Sequence, residues 1–156
     1  MNSSRRRVLR GTGGLAVLGL AVAAGLLKPG LARAADWNKA AFETKSFKDV
    51  VKALGGSEPV PSGDIVIESP DIAENGAVVP FTITSKLANT QSIALLIEKN
   101  PNILAAEFDI PEGTDPWVNT RVKMGQTSPV IALVKAGGKY YYAAKEVKVT
   151  LGGCGG

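Results

Sequence analysis

The chain has 156 residues, no histidine and a single cysteine, Cys154. Without an imidazole there is no Ser-His-Asp or Cys-His arrangement, and no side chain whose ordinary titration near neutrality suits acid–base catalysis. One thiol and no histidine cannot assemble the ligand sets that hold zinc, copper or an iron–sulfur cluster. An intrachain disulfide is excluded by count alone. The glycine pairs lack the following lysine and helix start of a phosphate-cradling loop. These absences point away from catalysis and away from any resident metal or cofactor.

What is present begins with an address. Ser4-Arg5-Arg6-Arg7-Val8-Leu9-Arg10 has the twin-arginine form, Gly11 to Leu27 carries no charge, and Ala32-Arg33-Ala34 supplies a small-x-small cleavage site. The apolar run is rich in Gly and Ala and is marginal for a bilayer-spanning helix. Residues 1–34 therefore read as a cleaved signal, with processing after Ala34 or Ala35 and no membrane attachment afterwards. Six of the 18 basic residues lie in this segment (Arg5, Arg6, Arg7, Arg10, Lys28, Arg33) and none of the 14 acidic ones, so the mature chain is net −2. Its lysines are scattered along the sequence, which gives no footprint for nucleic acid. The twin-arginine route exports folded proteins into the periplasm, usually with a cofactor or partner already acquired. Because this chain lacks ligands for a cofactor, a partner subunit is expected.

The remaining length suits one domain. Asp36 to Gly56 reads as helical, with Ser46 as cap, Asp49 completing a box, and Phe47, Val50, Val51 and Leu54 as one apolar stripe. Val60-Pro61-Ser62-Gly63 breaks the chain. Period-two patterning then predicts strands at Ile65–Glu68, Ala77–Thr84 (Pro80 marking an edge or bulge), Ser92–Glu98 as a central strand, Ile103–Asp109 and Val118–Met124. Val130–Ala136 and Lys139–Lys145 flank the hairpin signal Gly137-Gly138, and Val147–Leu151 closes the domain. The expectation is an all-β antiparallel sandwich over 64–151, preceded by a helical segment over 35–63 and followed by a C-terminal arm, 152–156.

Three groups of residues could do chemistry and have plainer explanations. Glu112 and Asp115 near Asp109 form a solvated acidic turn without the spacing of a calcium loop. Tyr140-Tyr141-Tyr142 with Trp117 could make a binding platform, but aromatics in strands usually pack across the sheet. Arg121 beside Thr120 and Lys123 could hold an anion, and a polar strand face explains it equally well.

Cys154 is different. It stands third from the end, between Gly152-Gly153 and Gly155-Gly156. Four glycines strip the Cβ atoms from around the thiol and leave a narrow, flexible backbone. Three residues beyond Leu151 give a reach of roughly 10 Å. Nothing in the sequence nearby activates the thiol, and at a pKa of about 8.5 only about 3% is thiolate at pH 7. That suits a handle activated inside other proteins better than a catalytic nucleophile. An interchain disulfide through Cys154, in an exported structural sandwich, is the alternative use of an unpaired cysteine.

The terminal Gly152-Gly153-Cys154-Gly155-Gly156 resembles the end of the SoxY family, sulfur-carrying subunits of the bacterial thiosulfate-oxidising (Sox) complex. Ser69-Pro70-Asp71-Ile72-Ala73-Glu74-Asn75-Gly76, Glu98-Lys99-Asn100-Pro101, Thr120-Arg121-Val122-Lys123 and Lys145-Glu146-Val147-Lys148-Val149-Thr150-Leu151 support the resemblance. It implies an immunoglobulin-like sandwich, a heterodimer with a SoxZ-like subunit, and sulfur carried covalently on Cys154. It also implies three enzymatic partners: a haem-containing thiosulfate-coupling enzyme, a sulfate-releasing hydrolase and a sulfane dehydrogenase. Only Cys154 and its glycine arm transfer as functional positions, and Ala73–Gly76 matches the family with no chemical role assigned to it. A ubiquitin-like carrier ending in a glycine thiocarboxylate would also use a Gly-Gly tail, but it works in the cytoplasm and the export signal speaks against it.

Overall fold

The computed structural model describes residues 38–150. The signal segment and the arm, with Leu151, Gly152, Gly153, Cys154, Gly155 and Gly156, lie outside the described residues, as do Asp36 and Trp37.

Among the described residues two short helices come first, α1 (Lys39–Phe42) and α2 (Phe47–Ala53). The helical segment expected over Asp36–Gly56 is thus two helices, the second capped by Ser46 as the sequence suggested. Thr44 Oγ bonds back to the Ala41 carbonyl (2.6 Å), closing α1, and Ser46 starts a new helix by accepting the Asp49 N–H (3.2 Å). The Ser46 hydroxyl also donates to the Asp49 carboxylate at 2.6 Å, so the expected box closes through side chains and not through the cap's own N–H. Gly55 and Gly56 end α2 with paired bonds to Lys52 and Val51, a Schellman closure.

Nine strands follow among the described residues: β1 (Val60–Pro61), β2 (Ile65–Glu68), β3 (Ile72–Ala73), β4 (Val79–Ser85), β5 (Thr90–Ile97), β6 (Leu104–Asp109), β7 (Trp117–Val122), β8 (Ser128–Ala136) and β9 (Lys139–Val149). They form two sheets. The larger has the order β1-β9-β8-β5-β6 with β3 also on β9, and the smaller is β2-β4-β7. The long pairings are antiparallel, and the sandwich expected from the sequence is what forms.

Four details depart from the sequence reading. Val60–Pro61 is not a break: it pairs in parallel with Tyr141–Tyr142 at the sheet edge, where a proline is tolerated. Pro80 lies in the central strand of the smaller sheet, but beyond the last β2 pair (Glu68↔Thr82), so β4 is paired there on one side only. Ile72–Ala73 forms a second parallel bridge, to Lys148–Val149, that no periodicity announced. Lys139 to Val149 is one continuous strand, where two had been expected.

The sheets are held by two apolar layers. Between them lie Phe81, Ile83, Ile93, Leu95, Val130 and Val134, all at most 1% exposed. On the outer face of the larger sheet, Ala94, Leu96, Ile131 and Leu133 meet Val50 and Val51 of α2. β5 and β8 are therefore covered on both faces, which is why they read as nearly unbroken apolar runs while β4 alternates. The β8–β9 hairpin closes through Gly137 (φ 56°) and Gly138 (φ 76°), the two positive values a type I′ turn requires.

Candidate functional site: the root of the C-terminal arm

β9 runs the length of the larger sheet from the Gly137-Gly138 turn to Val149, and the arm continues from there. Seven residues follow Val149 in the sequence, Cys154 among them. What the described residues build is the mounting of the segment expected to form the arm.

The mounting has three parts. Residues 69–76 form a strap along the free edge of β9. The Lys148 N–H donates to the Asp71 carbonyl (3.0 Å) and the Thr150 N–H to the Ala73 carbonyl (3.1 Å). The Lys145 ammonium pins the strap's start, reaching the Ser69 carbonyl and the Asp71 carboxylate, each at 2.9 Å. That hydrogen bond and charge hold the Asp71 carboxyl below its ordinary value, with Lys148 adding to the effect.

The second part is the strap's turn. A Cβ at Gly76 would stand 2.5 Å from the Met124 carbonyl oxygen and 2.8 Å from Val149 Cγ1, so only glycine lets the turn lie this close to the last strand. The Met124 N–H donates to the Gly76 carbonyl at 2.7 Å. The Ala73–Gly76 turn, which the sequence left without a role, is thus a packing element at the arm's base. The third part is Thr127, whose hydroxyl accepts the Val149 N–H at 3.0 Å.

The loops around this mounting are tied to each other. Ser128, fully buried, accepts the Lys99 N–H (3.0 Å), Asn100 donates to the Lys123 carbonyl (2.7 Å) and accepts from Gly125, and Gln126 donates to the Lys99 carbonyl. The four internal segments that carried the sequence resemblance, far apart in the chain, therefore meet at one pole of the sandwich. Thr127 was missed by the sequence reading, since an isolated threonine in a loop carries no pattern.

The other candidates are not brought together. Tyr140 and Tyr142 face the helix layer, Tyr140 donating to the Leu54 carbonyl (2.7 Å) and Tyr142 meeting Phe47 edge-on. Tyr141 packs on the opposite side, in the sandwich core. Trp117 is exposed on β7 in the smaller sheet, so no aromatic platform forms. Burial raises the Tyr140 hydroxyl and the Glu107 carboxyl above their ordinary values, a mark of packing on the helix-covered side. Arg121 is exposed on edge strand β7. Glu112 and Asp115 are exposed in the loop after β6, and no cluster of three or more potential metal ligands occurs among the described residues. A cleft of about 660 Å³ lined by Asn89, Gln91, Ile110 and Thr114 lies beside the Gly137-Gly138 turn, the full length of β9 away from the arm's root.

A family model for "Sulfur oxidation protein SoxY" matches residues 50–154, two thirds of the chain, and the match runs through Cys154. The chain belongs to the SoxY family. Among solved structures, the sulfur carrier protein SoxY from Chlorobium limicola f thiosulfatophilum is 38% identical, covers 67% of this chain and 96% of its own, and superposes with a TM-score of 0.61. A superoxide reductase (neelaredoxin) from Ignicoccus hospitalis is 17% identical over 55% of this chain and 79% of its own, with a TM-score of 0.49, a likeness that carries no argument here. No curated sequence matches the chain. The match to SoxY supports a sulfur-carrier role and, with it, partners belonging to a Sox system.

Proposed function

We propose that the mature protein is a periplasmic, non-catalytic carrier that binds thiosulfate-derived sulfur covalently on Cys154 and presents it to separate enzymes. The observation that carries this reading is the family match extending through the only thiol, four residues past Thr150, the last residue of a strand end that is clamped on two sides. Covalent geometry lets four residues reach roughly 13–14 Å, enough to thread a thiol into a cleft while the domain stays outside. Gly152, Gly153, Gly155 and Gly156 keep that thread narrow.

Loading joins the thiol to thiosulfate: Cys-SH and S2O3²⁻ give Cys-S-S-SO3⁻, one proton and two electrons. The chain has neither histidine nor a second cysteine to bind a redox centre, so the electrons pass to a haem-containing coupling enzyme. A hydrolase then adds water across the terminal S–S bond, releasing hydrogen sulfate and leaving Cys-S-SH, which a sulfane dehydrogenase oxidises further. The carrier needs no cofactor for these visits. Tethering keeps the persulfide attached and gives it a high local concentration at each enzyme. The chain is exported folded by the twin-arginine route together with a SoxZ-like subunit, and after cleavage it binds neither membrane nor nucleic acid.

Intact-mass spectrometry of protein from thiosulfate-grown cells, before and after reductant, tests this. Reducible additions of thiosulfate or sulfane sulfur on Cys154 are expected, with none on Cys154→Ser, whose fold and melting temperature stay unchanged. A disulfide-linked dimer mass without sulfur adducts would instead assign Cys154 to an interchain bond.

A further inference from the structure

We infer that Thr127, with the strap stapled by Asp71 and Lys145, positions the carrier arm by fixing where β9 ends and the free thread begins. This rests on the carrier reading and adds a residue-level device to it. The final amide hydrogen bonds of β9 are divided between two holders. Lys148 and Thr150 donate to the strap, and Val149, facing the other way, donates to the Thr127 hydroxyl. The strap is in turn held at its start by Lys145 and at its far end by the close approach of Gly76 to Val149 and Met124. The last residue held this way is Thr150, and counting from it Cys154 is the fourth residue along the sequence.

Releasing the clamp would free Lys148 to Thr150 and lengthen the thread to about seven residues. Reach would grow by roughly 10 Å, while the local concentration of the thiol at a docked enzyme would fall roughly as the −3/2 power of length, and its exit direction would be lost. The domain's outer face would be unchanged, so docking would not weaken. The signature is a lower kcat with an unchanged KM for the carrier, a split that general destabilisation does not produce.

Thr127→Val removes the hydroxyl acceptor at nearly constant volume, and Thr127→Ser keeps it. Three readouts on the full carrier complex test the inference. Hydrogen exchange at Val149 and Thr150 is expected to rise roughly fivefold or more in Thr127→Val. The rate of iodoacetamide modification of Cys154 should match wild type. Thiosulfate loading by the haem-containing enzyme should fall in kcat about two- to fivefold at constant KM, with Thr127→Ser restoring it. Asp71→Asn provides a second, milder release should Thr127→Val fold poorly. Unchanged exchange, or loosened exchange with normal kcat in both variants, overturns the inference. Failure of the wild type to load at all overturns the carrier reading instead.

Discussion

The two poles of the sandwich are held together differently. At the hairpin pole most side-chain bonds are local: Ser85 to Thr90, Leu87 to Ser85 and Thr90 to Leu87 all close within five residues. Gln91, accepting from Gly138, is the one side chain there that reaches a distant segment among the described residues. At the arm pole, Asn100, Gln126, Thr127, Ser128 and Lys145 each bind a segment at least 22 residues away. A pole built of local turns can flex without disturbing its neighbours. One built of long-range ties transmits any loosening to the strand end that carries the arm.

Three substitutions sharpen this contrast, in decreasing order of effect. Gly76→Val forces a side chain into the Met124 carbonyl and Val149, and is expected to cost about 2–3 kcal/mol in chemical denaturation. Next, Ser128→Ala leaves the Lys99 N–H without its acceptor beside a fully buried site, costing about 1–2 kcal/mol, while Gln91→Ala at the hairpin pole, where the bond is exposed, changes stability by less than about 0.5 kcal/mol. Equal effects at the two poles would break the contrast.

The smallest effect is one of pH. The folded Asp71 carboxyl titrates below its ordinary value of 3.8 because Lys145 bonds it and sits beside it. Its contribution is therefore complete above the unfolded value and is lost as pH falls through the folded one. Hydrogen exchange at Lys148 should accelerate as pH drops below about 3.8, beyond the intrinsic trend, and Asp71→Asn should remove that inflection.

The strands were legible where side-chain pattern and turn chemistry agree. β4 and β7 alternate, β8 and β9 meet at Gly137-Gly138, and β5 shows by its unbroken apolar run that both faces are covered. The helix layer was legible as a stripe on α2 capped by Ser46, although the separate turn of α1 before it was not. β1 and β3 were invisible because two residues carry no period, and their pairing is imposed by β9. Cys154 stood out in composition, as one cysteine among four glycines, and it lies outside the described residues. The contacts at the end of β9 were not legible, because Thr127 and Gly76 gain meaning only from what folding lays against them.

β9 has a further consequence, for the order of events during synthesis. It is hydrogen-bonded to β8 along nearly its whole length and also receives β1 and β3, so the larger sheet cannot close without it. It is also the last strand in chain order among the described residues, and its end lies five positions before Cys154. Until β9 has been made, the domain lacks its organising strand. A chain cut short before β9 cannot complete the larger sheet. Folding thereby acts as proofreading: a molecule that has reached its native state was translated to within a few codons of its thiol.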